Sequence, residues 1–257
     1  MAALLVWLAG AQSPNASQNR MPASNSSAVQ ELPTLYIVGD SIVHNGPGNG
    51  ANGQWGWGDL IGVYFDPAKI NVLNWALPDM GGQTLVTEEQ WQPVQNALRP
   101  GDFVMIEFSE DDSAPANMSA HKRDAVHTDV WYLHKYITDV RARRATPILC
   151  MRTPRHGWQD GRIVTNDNEY LGSVRQLVQQ QQAPLINLSE ILAQRYKEMG
   201  TDKTKQPLGR GQGPSTLAVA ELNAEAVVAG LKALQNDPLA PYFSMRAEQV
   251  VPAAIAQ

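Results

Sequence analysis

Leu35-Tyr36-Ile37-Val38-Gly39-Asp40-Ser41 is the stretch from which the fold can be read. A short apolar run, rich in strand-favouring residues, stops at a Gly-Asp-Ser turn where a serine would be presented to solvent beside the free amides of a helix start. The tripeptide alone does not establish a nucleophile, because Gly-Asp-Ser is also an ordinary turn in which serine caps the next helix. Comparable runs recur at Ile70–Trp75, Phe103–Phe108, Pro147–Met151 and, more weakly, Pro184–Leu188. Between and after them, 58–65, 88–98, 130–143, 170–182, 190–199 and 217–234 carry apolar residues at helical spacing. This alternation predicts a parallel sheet of about five strands covered by helices on both faces, an α/β protein in three α/β/α layers. In open sheets of this kind ligands bind beyond the carboxyl ends of the strands, so the segments that follow each run are where a site is expected.

The 257 residues, 43% of them hydrophobic, suffice for one domain with a full core. The formal net charge is −5 and there is no block of Lys or Arg, which argues against nucleic acid or an anionic membrane and for a small neutral or polar ligand. Cys150 is the single cysteine, so an intrachain disulfide and a metal site built on thiolates are both excluded; its apolar surroundings make it a small core residue. Residues 1–11, MAALLVWLAGA, form an apolar stretch ending in a small-x-small pattern. That is the form of a signal segment without its basic start, and it implies a secreted or periplasmic protein. The stretch is far shorter than the ~20 residues a membrane span needs. Residues 12–32, rich in Ser, Asn, Gln and Ala, read as a disordered spacer, 33–236 as the folded domain and 237–257 as a C-terminal tail.

Five stretches taken in order, GDSIVHNGPGNGANGQWGWGDLI (39–61), LRPGDFVMIEF (98–108), DAVHTDVWYLHKYITDVRARRATPILC (124–150), WQDGRIV (158–164) and AELNAEAVVAGLKAL (220–234), carry a likeness to a known family. Together they resemble the rhamnogalacturonan acetylesterase branch of the SGNH (GDSL-type) hydrolases, from about Pro33 to Asn236. The resemblance implies a flavodoxin-like three-layer fold and hydrolysis of acetyl esters on plant cell-wall polysaccharide without a cofactor. It also implies a serine nucleophile and a histidine base oriented by an aspartate three residues earlier. The oxyanion would be held by the serine amide, a glycine after the second strand and an asparagine after the third.

Carried over residue by residue, Ser41 takes the nucleophile position, its amide takes the first oxyanion position, and Asp40 matches as well. The other positions depart. Where the family has a Gly-Arg-Ser-Ser-Arg-Thr-like segment, this chain has Asp79-Met80-Gly81-Gly82-Gln83-Thr84, with Asp79 in place of the glycine donor. Where the family has Gly-His-Asn-Asp, it has Ser109-Glu110-Asp111-Asp112, with Asp111 in place of the asparagine. An ionised carboxylate cannot donate there. Near the C-terminus the family carries Asp-x-x-His, and anchoring on Ala220-Glu221-Leu222-Asn223-Ala224 puts Gly211 and Pro214 at those two places. Neither residue can titrate.

His156, which follows the fourth run, is the candidate for a replacement base, although a surface-loop histidine reads the same way. His44 would have to fold its ring back toward Ser41, His127 and His134 lie on a helical stretch, and His121 lies in a polar loop. Asp79 and Asp111, with Glu110 and Asp112 close behind, would raise one another's pKa and attract a cation, with Ca²⁺ as the candidate ion. They also read as an acid/base pair for glycosidic chemistry, or as a decayed site. Trp55, Trp57 and Trp158, with Asn45, Asn49 and Asn52, suit a pyranose face and its hydroxyls, core packing being the other role open to each tryptophan. Two readings follow: a carbohydrate esterase that acts through Ser41 with a rearranged base, or a catalytically silent relative that binds a glycan.

Overall fold

The computed structural model describes residues 31–78, 82–87, 89–107, 119–151, 153, 158–159, 162–163, 168–199 and 216–254. Its strands are β1 (Thr34–Gly39), β2 (Asn71–Asn74), β3 (Phe103–Glu107), β4 (Thr146–Cys150), the short antiparallel pair β5 (Trp158–Gln159) and β6 (Arg162–Ile163), and β7 (Leu185–Ile186). The main sheet has the order β2-β1-β3-β4-β7 with every pair parallel. The helices are α1 (Gly82–Thr87), α2 (Trp91–Ala97), α3 (Ser119–Ala142), α4 (Asn168–Gln181), α5 (Leu188–Met199), α6 (Leu217–Ala233) and α7 (Met245–Glu248).

Side chains alternate across a strand, and here both alternating sets are apolar. Leu35, Ile37, Phe103, Met105, Ile148 and Cys150 join one cluster with Leu188, Ile191, Leu192 and Tyr196 of α5 and Val227, Val228 and Leu231 of α6. Tyr36, Val38, Val104, Ile106 and Leu149 join the other with Leu85 of α1, Trp91 and Val94 of α2, Tyr136 and Ile137 of α3 and Val174 of α4. The sheet is therefore the middle of three layers. At its amino end the buried Asp102 accepts the Thr34 amide at 2.8 Å and the Arg99 amide at 2.7 Å, joining the starts of β1 and β3.

Two expectations need correction. The segment 58–65 forms a pair of 3-10 turns, Trp57–Asp59 and Ile61–Tyr64, in place of one helix. Two glycines in eight residues weaken helix propensity, and Gly58 lies against Val43, so the chain follows the turn beside it. The stretch 237–257 is not a tail over its described length. The Asp66 amide donates to the Tyr242 carbonyl at 2.8 Å and the Ser244 amide to that of Tyr64 at 2.9 Å. Leu239 and Ala247 are fully buried, and the Lys232 ammonium donates to the carbonyls of Ala247 and Val250 at 2.9 and 2.6 Å. These contacts come from single residues with no regular period, which is why a periodicity reading passes over them. The signal segment of 1–11 lies outside the described residues, as does all of the 12–32 spacer except Glu31 and Leu32.

Asp237 opens this C-terminal strap. Its Oδ1 accepts the Leu239 amide at 2.9 Å, while the buried Oδ2 has no partner among the described residues. Burial pushes its pKa up to about 6 from 3.8, the Leu239 amide opposing the shift. A folded value above the unfolded one means a contribution that is full below about pH 4 and lost as pH rises through about 6. Asp237→Asn keeps the acceptor and removes the charge. Urea denaturation should find it more stable than the parent at pH 8 and equal to it at pH 3.5; an equal offset at both pH values would contradict this account.

Candidate active site

Ser41 stands two residues beyond Gly39, the last residue of β1, at the carboxyl end of the sheet. The turn that presents it is closed by Asp40, whose carbonyl accepts the Val43 and His44 amides at 3.0 and 3.2 Å and whose Oδ1 accepts the Ile42 amide at 3.0 Å. Gly39 is required by close approach: a Cβ there would stand 2.5 Å from Val43 Cγ2 and 2.6 Å from the Glu107 carbonyl oxygen. The serine is half-buried, and no described residue hydrogen-bonds to its hydroxyl. The His44 ring turns toward Asn45: Nδ1 lies 2.5 Å from that carbonyl, which can only accept, so Nδ1 carries the proton.

The Gly-rich run after the turn folds back as a compact loop held by Asn45. Its Oδ1 accepts the Gly56 amide at 2.8 Å, its Nδ2 donates to Asn49 Oδ1 at 2.8 Å, and its own amide donates to Asp59 Oδ2 at 2.6 Å. Asn45 is buried and both polar atoms of its carboxamide are held within the loop, so the expectation that it faces a sugar is corrected. Trp57 is corrected as well. It is completely buried, and its indole Nε1–H donates to Glu107 Oε2 at 2.5 Å inside the core. Its glycine-rich neighbourhood reads as surface, but those glycines are what let the chain press against the Ser41 turn. Trp55, by contrast, is half-buried and rests on Gly50, whose φ of 84° and Cβ position 2.5 Å from the ring both require glycine.

Glu107 is the residue that sequence reasoning missed. It ends β3 beside Gly39, is 2% exposed, and accepts the Trp57 indole on one oxygen and the Thr153 amide at 2.7 Å on the other. A carboxylate ending an apolar run, in Phe103-Val104-Met105-Ile106-Glu107-Phe108, was the available signal. Burial first, and then the Glu107 charge, hold the Cys150 thiol well above its ordinary pKa, so it stays protonated and is no nucleophile. Tyr196 is raised by the same two causes in the same order.

Asp79, Glu110, Asp111, Asp112, His156, Gly211 and Pro214 lie outside the described residues, and Trp158 is placed by its backbone alone, at the start of β5. Among the described residues no group of three or more His, Cys, Asp and Glu side chains is arranged to hold a metal. His134 is exposed on α3, where only the backbone of His121 and His127 is described. A small hollow lies beside α1, lined by Gly82, Gln83, Asp129, Tyr132, Tyr136 and Tyr170, with the Tyr136 hydroxyl donating to the Gly82 carbonyl at 2.6 Å.

Residues 35–213 match the GDSL-like lipase/acylhydrolase family, a span that opens on β1 and takes in the Ser41 turn. The chain belongs to this family. It is 27% identical over 169 residues to the probable rhamnogalacturonan acetylesterase YesY of Bacillus subtilis, covering 66% of this chain and 76% of that protein. It is 24% identical to the rhamnogalacturonan acetylesterase RhgT of the same organism over 67% of this chain and 72% of that one. The crystal structure of Bacillus subtilis YxiM superposes with a TM-score of 0.69 at 23% identity, covering 79% of this chain and 56% of YxiM. The fold is that of the SGNH hydrolases, and this GDSL-family chain places its serine where that sheet places a ligand edge.

Asn45→Ala removes the acceptor for Gly56 and should cost about 1–3 kcal/mol in chemical denaturation. A side chain that only faced ligand would leave stability unchanged.

Proposed function

We propose that this GDSL-family chain recognises an acetylated cell-wall glycan while its ester hydrolysis is severely impaired or absent. The observation that carries the reading is Gly211 and Pro214 at the places where the Asp-x-x-His of the family would stand. Without a base, the Ser41 hydroxyl keeps its proton at neutral pH, a loss worth on the order of 10² to 10⁴ in rate. Asp79 and Asp111 at the glycine and asparagine positions add the loss of oxyanion donors, each worth ~10² to 10³. The likeness to the rhamnogalacturonan acetylesterases YesY and RhgT supports a glycan as ligand, and so does the Trp55 indole held on Gly50 beside the Ser41 turn. The apolar segment 1–11 supports export. A second reading, an active acetylesterase with His156 as rearranged base, draws on the retained Ser41 turn.

Acetate release from acetylated rhamnogalacturonan and from an aryl acetate separates the two readings. Under the proposal, the parent chain and Ser41→Ala release acetate at the same background rate. Turnover that disappears in Ser41→Ala would establish the esterase instead. In calorimetric titration with acetylated rhamnogalacturonan oligosaccharides, Trp55→Ala should weaken binding about 3- to 10-fold, the range of one aromatic stacking contact. An unchanged affinity would remove Trp55 from the glycan surface.

A further inference from the structure

Glu107 is a buried carboxylate that lies on the α5–α6 face of the sheet, among apolar residues, with Cys150 and Tyr196 as the titratable groups under its field. Its two oxygens are used by donors from two different chain segments. Trp57, on Oε2, belongs to the strip that returns along the nucleophile turn: the Trp57 amide donates to the Ile42 carbonyl at 3.2 Å and the Gly58 amide to that of Val43 at 3.0 Å. Thr153, on Oε1, leads the chain out of β4 toward His156. The Thr153 side chain gives that segment no other anchor, since its buried Oγ1 has no partner among the described residues.

We propose that Glu107 is a positioning residue that locks the Ser41 turn and the segment after β4 into one rigid edge, and that glycan affinity depends on this lock. The chemistry requires a carboxylate. Both neighbours are N–H donors, and only an acceptor-only group satisfies both, whereas glutamine would set its own NH₂ against one of them. For its ligand the inference rests on the glycan reading above; the lock itself is tested without any ligand.

The test uses the full chain and two variants, Glu107→Gln and Trp57→Phe, followed by backbone hydrogen exchange and by titration with acetylated rhamnogalacturonan oligosaccharide. In Glu107→Gln, whose one oxygen can keep only one of the two donors, exchange at Thr153 or along 42–46 and 57–58 should accelerate about tenfold or more while the Val104–Ile106 amides keep their parent rates. In Trp57→Phe the carboxylate remains, so Thr153 should stay protected while 42–46 and 57–58 loosen. This split between the two segments is not what general destabilisation produces. Glycan affinity should fall about tenfold in Glu107→Gln, the equivalent of one lost charged hydrogen bond. Parent exchange rates at both segments in Glu107→Gln, or uniform acceleration that includes the β1–β3 ladder, would overturn the lock, and an unchanged affinity would overturn its role in binding. If the parent chain binds no glycan, the glycan reading falls together with that role, and the exchange pattern still decides the lock. Should Glu107→Gln fail to fold, the Trp57→Phe pattern decides it, with loss of Thr153 protection in that variant as the contrary result.

Discussion

The pairing of β1 with β3 is the constraint on which the carboxyl edge of the sheet depends. The register sets Gly39 opposite Glu107, so the residue that ends one strand lies against the backbone of the residue that ends the other. No side chain fits at position 39, and the chain turns over the residues that follow it. The turn then lies within reach of the two 3-10 turns that follow, and their Trp57 and Gly58 amides bind the Ile42 and Val43 carbonyls. Glu107 completes the arrangement from the core side, because the alternation that puts Phe103 and Met105 on the α5–α6 face puts the carboxylate there too.

A buried carboxylate beside the Ser41 turn has electrostatic consequences. Burial first, and then its charge, keep the nearby thiol and phenol protonated, so neither is a nucleophile. Its two oxygens accept N–H groups from two chain segments, so displacing either segment would break a hydrogen bond to a buried carboxylate. The edge is thus rigid on the side of the core. Half-buried Ser41 and Trp55 and the exposed Asn49 and Asn52 lie toward solvent, on a loop whose shape is set by the buried carboxamide of Asn45.

The strands were legible because each is an apolar run buried on both faces, and their order along the chain forces parallel pairing through helices. All five runs of the main sheet occur where the sequence puts them, although Pro184–Leu188 contributes only two residues as strand and gives Leu188 to α5. The site was less legible. Composition left Trp57 open between a sugar-facing and a core role and put Asn45 at the surface, because glycine and asparagine usually accompany solvent-facing loops, but the same glycines also allow close packing. Nothing local distinguishes the two cases, since what decides is the long-range partner: Glu107 lies 50 residues from Trp57. The C-terminal strap was hidden for the same reason, being held by side chain to carbonyl contacts such as those of Lys232.

The retained Gly-Asp-Ser has to be weighed against this architecture. Gly39 is demanded by the approach of β3 and Val43, and Asp40 by the amides it caps, so both would persist in a chain with no chemistry to perform. Only Ser41 lacks a described structural partner, and a serine at the start of a turn is acceptable for its own sake. The motif that signals an esterase is therefore two-thirds a packing motif. Its presence reports how the strand, the turn and the end of β3 pack together. The ability to remove a proton from Ser41 is a separate property, because it needs a base that none of these packing contacts supplies.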